Sequence, residues 1–419
     1  SSGASSTRNT SAGGGAGFVA GGSSNGSGQY TGTSAGSTSR GSGGSSGASV
    51  QAAAGTTAVE TYPRPCADIY DPNTLPTFNV EIAQSDWDAI VAGCEAKDQT
   101  YYPITFHYGA ETLPAMIRLK GNWSWNCDKM QFQISFNESD KQGRFHGLRK
   151  LVLDAPSYDE TLLRERLGFS LMRDLGTPFS CANNARLEIN GKYYGLFVNL
   201  ERVDAGYLKR QFAESDGNLY KEGRELTTNE ETGDTASVDA FWAATTVSEL
   251  DALVDLEEAV LVWAGLAMAP DADSYWAGVE INVYLYQHPT RGLLFIPYDM
   301  DTAFQRCATC DPITYEHTQW KRELQYQVVM SDVRWCTAFE AALRRARAAY
   351  DVAELKRRVE TWSGQIAAAL AADPNRTFTE QEAAESLASL RTLIEKRAAF
   401  VDTWLAQGSH CPPVWPTAP

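Results

Sequence analysis

No stretch of this 419-residue chain approaches the ~20 consecutive apolar residues that a membrane helix requires; the most apolar run, AVLVWAGLAMA at 259–269, is far too short. A membrane span is therefore not expected. Basic residues are also scarce: 36 Lys and Arg face 52 Asp and Glu, for a net charge of -16. Phosphate backbones and anionic lipids need clustered Lys and Arg, so neither nucleic acid nor a lipid surface is expected as a partner. The five histidines are dispersed, and there is no G-x-S-x-G elbow, H-E-x-x-H helix or Walker A loop. The common serine-hydrolase, zinc-protease and P-loop designs are thereby set aside. No internal repeat is present. The chain starts at Ser1 with no signal-peptide pattern, which reads as a targeting segment removed or lying outside it.

Large apolar groups are nearly absent from residues 1–55, SSGASSTRNTSAGGGAGFVAGG and onward. Nothing there offsets ordering entropy, so a disordered Ser/Gly-rich linker is expected, a spacer behind an export or anchoring element. The remainder carries ample core material, with 43% of the chain hydrophobic and 11% aromatic. Its eight cysteines, Cys66, Cys94, Cys127, Cys181, Cys307, Cys310, Cys336 and Cys411, are even in number. With an acidic, Trp-rich chain behind such a leader they favour an exported, disulfide-bonded protein, secreted or at the cell surface. Cys307-x-x-Cys310 has no second Cys/His pair at metal spacing, and so reads as part of the disulfide framework.

From TFNVEI at 77 to MQFQISFN at 130 the apolar residues alternate as in strands, with Ser85-Asp86-Trp87-Asp88 opening a short capped helix. YDETLLRERLGFSLMRDLG reads as a helix over 159–175, with Asp159 near its start and Gly176 and Pro178 at its end. Asn190-Gly191 between alternating runs predicts a type I′ hairpin. Beyond about residue 236 the pattern is helical, interrupted by a second hairpin, NVYLYQHPTRGLLFIPYDM.

That second hairpin ends in LLFIPYDMDTAF, where Asp299 and Asp301 stand two residues apart among aromatics. In a strand they would share a face about 6.6 Å apart. At an effective dielectric of ~20 they would repel by about 2.5 kcal/mol, and a bound cation would relieve this. With Pro289-Thr290-Arg291-Gly292 as the loop, Asn282 pairs with Asp299. A carboxylate, an amide oxygen and a second carboxylate form a hard oxygen set suited to Mg²⁺ or Mn²⁺ with positions left for phosphates. Asp273, nine residues before Asn282 on an expected loop, completes an order of Asp, Asn and Asp that parallels protein kinases.

At these residues the chain resembles the CotH kinase family. The matching stretches run in order through TFNVEI, IRLKGNWSW, KMQFQISF, LRKLVLDAPSYDETLLRERLGFSLMRDLGTP, ARLEINGKYYGLFVNLERVDAGYLKRQF, GNLYKEG and DSYWAGVEINVYLYQHPTRGLLFIPYDMDTAF, about residues 76–305. The resemblance implies an α+β, atypical protein-kinase-like two-lobed fold over residues 56–415, with a sheet-rich N-lobe at about 60–200 and a helical C-lobe at about 201–415. It implies a phosphotransferase moving the γ-phosphate of ATP to Ser or Thr of surface or secreted proteins, its own tail included, with Mg²⁺ or Mn²⁺ as cofactor. Asp273 then corresponds to the catalytic base, Asn282 and Asp299 to metal ligands, and Asp301 to a further metal contributor. Lys129 is the expected phosphate-binding lysine, and Glu165 its orienting partner with Arg164 as the competitor. Glu201 is expected at the adenine side, and RLKGNWSW over the nucleotide. The chain departs from the family pattern at Tyr298, where the family often has Trp, at Gln305 (Gly) and at Ile281 (His), and it lacks the usual Pro-Lys-Lys near Lys129. A non-catalytic coat or adhesion protein and an AMP-transferring enzyme stay open as alternatives. A monomer is expected.

Overall fold

The computed structural model describes residues 61–121, 124–155, 158–315 and 323–415. The expected linker at 1–55 lies outside them. The first half builds one sheet from β1 (Thr77–Ile82), β2 (Tyr102–Tyr108), β3 (Glu111–Lys120), β4 (Gln131–Ser135), β5 (Lys150–Asp154), β6 (Ala182–Ile189) and β7 (Lys192–Leu200). Its order is β1-β2-β3-β4-β5-β7-β6, and parallel pairing of β6 with β1 closes it into a barrel without a free edge. Alternation sends Phe78, Val80 and Ile82, and likewise Ala115, Ile117 and Leu119, into the interior. The pleat then turns Arg118 and Lys120 to the other face of β3. Asn190 and Gly191 both adopt positive φ between the paired Ile189 and Lys192, as the expected tight turn requires.

Two helices attach to this barrel. The first, α1 (Gln84–Gly93), has Ser85 and Asp86 inside its first turn; its N-cap is Ala83, which makes no side-chain cap bond. The second, α2 (Arg164–Leu175), starts five residues later than the sequence pattern implies. Residues 158–163 form turns instead, with Leu162 at φ 54°, and Asp159 still supplies the cap: its Oδ2 accepts from the Arg164 backbone N–H at 2.9 Å. Gly176 at φ 81° ends it. Sequence periodicity marked one apolar stripe, but Arg164, Glu165 and Arg166 are buried as well. The reason is tertiary: α2 is covered by β6 on one side and by helices of the second half on others.

The second half combines α3 (Ala205–Gln211), β8 (Asn218–Lys221), β9 (Glu225–Leu226), α4 (Ala236–Ala243), α5 (Val247–Leu253), α6 (Leu256–Met268), β10 (Val283–His288) and β11 (Gly292–Pro297) with α7 (Leu324–Ser331), α8 (Val333–Ala349), α9 (Val352–Ala371) and α10 (Glu380–Ala406). The fold is therefore α+β, sheet-rich first and helix-rich second, with a small sheet in the order β11-β10-β8-β9. The apolar run at 259–269 is the core of α6, buried among α2, α8 and β11. Among the described residues no helix is long and apolar enough to cross a membrane. Side-chain caps from Asp332, Asp351 and Thr379 start α8, α9 and α10.

All eight cysteines pair: Cys66 with Cys181, Cys94 with Cys127, Cys307 with Cys310 and Cys336 with Cys411. The C-x-x-C pair thus bridges itself and closes a small ring.

Candidate active site

The register of the second hairpin differs from the one expected. Val283 pairs with Pro297 and His288 with Gly292, so the loop holds three residues, Pro289-Thr290-Arg291, and Gly292 takes φ 89°. An odd loop shifts every pair by one residue. Asn282 consequently lies across from Tyr298, whose backbone N–H donates to the Asn282 carbonyl at 3.2 Å, and not across from Asp299. The ladder ends at Pro297, so strand spacing does not separate Asp299 from Asp301 either. Both Asn282 (φ 55°) and Asp299 (φ 57°) sit in the left-handed region. Such backbone costs a non-glycine residue on the order of 1 kcal/mol, and it recurs at functional sites.

These turns aim side chains into a cleft of about 1670 Å³ lined by both halves of the fold. Lys120, Gln133 and Val152 enter from the barrel, and Asp273, Asn282, Asp299 and Asp301 from the second half. Asn282 Nδ2 donates to Asp273 Oδ2 at 2.9 Å and to the Asp273 carbonyl at 3.0 Å, which leaves Asn282 Oδ1 as an acceptor. The Asp273 backbone N–H donates to Thr302 Oγ1 at 3.2 Å, and Thr302 in turn donates to the buried Asp271. Asp273 is raised above the usual carboxylate range by burial, an effect the Asn282 hydrogen bond opposes.

Asp299 is pushed up to about 7 by burial and then by the charge of Asp154, and Asp271 likewise to about 7, mainly by burial. Burial also raises Asp301 and Glu165, with Asp299 and Asp154 respectively as the next causes. The cation among these groups is Lys120. Its Nζ lies 2.6 Å from Asp154 Oδ2 and 3.0 Å from Gln131 Oε1, and it attracts both Asp299 and Glu165. Burial lowers the Lys120 pKa, but the charge and hydrogen bond of Asp154 with the charges of Asp299 and Glu165 together outweigh it, and the net shift is upward.

Two expected residues are not brought here. Lys129 places Nζ 2.7 Å from Asp373 Oδ2 and 4.4 Å from the Phe197 ring centre, buried against the segment after α9. It does not line the cleft: its ammonium turns to Asp373, while Lys120 at the end of β3 is the lysine the barrel presents there. Glu201 is buried in a pair with Arg210, with Oε1 and Oε2 at 2.8 and 3.0 Å from Nε, and accepts from the Cys181 backbone N–H. Its neighbour Arg202 lines the cleft and donates to Gln133. Arg164 points away as well, donating to the Phe304 carbonyl and to Ser386. The signal missed in sequence was Lys120 in RLKGN: alternation from the buried Ile117 and Leu119 already puts it on the opposite face.

The donor set fits a hard divalent cation in part. Glu165 Oε1 and Oε2 and Asp271 Oδ2 are buried without a hydrogen-bond partner, and a carboxylate so placed calls for a nearby cation or a proton. Among the described residues no three His, Cys, Asp or Glu side chains meet as a ready cage. An ion here would take Asn282 Oδ1, Asp299 and Asp301 oxygens and complete its shell from a phosphate-bearing ligand.

The profile of the CotH kinase protein family matches residues 117–401, well over half of the chain. The chain belongs to the CotH kinase family. The match spans β3 to α10 and contains both walls of the cleft. The inner spore coat protein H of Bacillus subtilis (strain 168) is 28% identical over 238 residues, covering 50% of this chain and 64% of that protein. The chain therefore spans less than two thirds of that relative's length. Among solved structures, the Helicobacter pylori proinflammatory kinase CtkA aligns over 74% of this chain and 93% of its own, at 11% identity and a TM-score of 0.34. Shewanella oneidensis HipA, in complex with HipB and operator DNA, aligns over 61% of this chain at 13% identity and a TM-score of 0.28.

Proposed function

We propose that the protein is an ATP- and divalent-cation-dependent phosphotransferase that modifies Ser or Thr of exported proteins. The observation that carries this reading is the Asp273–Asn282 hydrogen bond standing in one cleft with Asp299, Asp301 and Lys120, with Glu165 buried behind them and acting on Asp299 and Lys120 through its charge. Asp273 takes the proton of the acceptor hydroxyl, whose oxygen bonds to the transferred phosphorus as the bond to the leaving diphosphate breaks. Asn282 holds the Asp273 carboxylate, which leaves its Oδ1 to hold a cation together with Asp299, and Asp301 would add a further oxygen. Bound Mg²⁺ or Mn²⁺ would neutralise charge on the phosphates of ATP, the group donor. Lys120, held by Asp154 and attracted by Glu165, would contact those phosphates, the role the resemblance implies for Lys129. Val152, Tyr298 and Arg202 line the same cleft and would be available to the adenine ring, in place of Glu201.

Membership of a kinase family supports this chemistry, and the four disulfides support an exported setting. The test is incubation with ATP labelled in the γ-phosphate or in the adenine, with label located by mass spectrometry in wild type and Asp299→Asn. γ-Label on Ser or Thr that disappears in the variant is the expected result. Adenine label would assign AMP transfer, and a protein that binds no nucleotide would be a structural coat or surface component.

A further inference from the structure

Arg306 lines the cleft with Asp273 and Asp299, and its charge is one of those acting on the Asp273 carboxylate. It is exposed and, among the described residues, takes part in no hydrogen bond or ion pair. Other arginines of the cleft are engaged: Arg202 with Gln133 and Arg118 with Gln99. In a chain of net charge -16, a guanidinium left unpaired beside several carboxylates is available to an anionic ligand.

The backbone on either side of it is held. Phe304 (φ 56°) is buried and its carbonyl accepts from Arg164, while the Gln305 side chain donates to the Tyr158 carbonyl at 2.6 Å. Cys307 (φ 55°) is tied to the buried Cys310, whose carbonyl accepts from Arg397 at 2.6 Å. The loop is fixed and the long side chain alone is free, the arrangement that costs least when a guanidinium closes on a phosphate with two parallel N–H bonds.

We infer that Arg306 is a further catalytic residue, gripping the transferred phosphoryl group from the acceptor side, and that the Cys307–Cys310 ring positions it; this rests on the phosphotransferase reading. Charge on the equatorial phosphoryl oxygens is what such a cation stabilises, so its effect belongs to kcat.

The experiment compares wild type, Arg306→Ala, Arg306→Lys and the pair Cys307→Ser/Cys310→Ser, each checked for wild-type thermal melting or measured on the folded fraction. Arg306→Ala should lower kcat by about 10²-fold or more with acceptor KM and ADP affinity within a few-fold. Added guanidinium ion should restore part of this loss in Arg306→Ala and none in wild type. Affinity for ADP with aluminium fluoride, a mimic of the transferring group, should fall in Arg306→Ala while affinity for ADP stays. The cysteine pair should lose activity by a smaller factor and add nothing on top of Arg306→Ala. Wild-type kcat in Arg306→Ala, or a raised acceptor KM with kcat unchanged, overturns the inference and leaves the phosphotransferase reading standing. A wild-type protein that neither transfers label nor binds nucleotide overturns both.

Discussion

Lys120 Nζ lies 2.6 Å from Asp154 Oδ2, so the ends of two strands that are not neighbours, β3 and β5, meet through a charge pair spanning β4 between them. The pair is nearly buried and faces Glu165 and Asp299. Lys129, nine residues further on, makes a buried pair of similar length with Asp373 and faces none of them. The two lysines are expected to separate cleanly on substitution. Lys120→Met should abolish label transfer from ATP in a folded protein, whereas Lys129→Met should cost roughly 3–5 kcal/mol of stability by stranding Asp373. Urea unfolding and transfer assays on the folded fraction check both.

Asn282 holds Asp273 through its amide N–H, and Asp273 is the proposed base. Asp273→Asn should reduce kcat by about 10²–10⁴-fold with nucleotide affinity near wild type. Asn282→Ala should reduce kcat and weaken divalent-cation affinity together, because it removes both the hydrogen bond and Oδ1. Cation titrations at saturating ATP distinguish the two.

Gly168 lets α2 approach the loop after β11. A Cβ there would lie 2.9 Å from Met300 Cε and 3.3 Å from the Ala303 Cβ. Gly168→Ala should therefore cost about 1–3 kcal/mol as overpacking. Because Glu165 is one turn earlier on α2, activity should fall more than the folded fraction does. A melting curve read beside kcat tests this.

His146 is raised above its ordinary value: burial lowers it, and hydrogen bonds to Glu111 and Asp68 more than offset that. The folded state thus holds the proton more tightly than the unfolded one. The stabilisation is fully present below the unfolded His value, near 6.5, and is lost as pH rises through the higher folded value. His146→Gln should lower Tm at pH 5.5, and the difference from wild type should shrink as pH rises above the raised folded value. The site is solvent-accessible, so the difference should stay within about 1 kcal/mol.

Much of the fold was legible locally. The alternation in TFNVEI, the Asn190-Gly191 turn and the helical periodicity after 323 depend on side chains within a few residues of one another. The start of α2 was not, because Asp159 caps it from five residues upstream across a left-handed Leu162. The second hairpin's register differs by one residue, because Gly292 with positive φ joins β11 and pairs with His288, leaving a three-residue loop where the sequence suggests an even one. Asp273, Asn282, Asp299 and Asp301 could be named as a set since they fall within 29 residues of chain, but how they meet depends on turns and not on the ladder.

By itself the sequence determined the α+β class, the family signature along 76–305 and the even cysteine count, all carried by local pattern. Only the tertiary structure decided which lysine faces the acidic groups, which cysteines pair and why α2 buries Arg164, Glu165 and Arg166. Barrel closure and helix packing bring residues 120, 154, 165 and 299 together across the chain, and no short-range periodicity encodes a meeting set by the sum of many distant contacts.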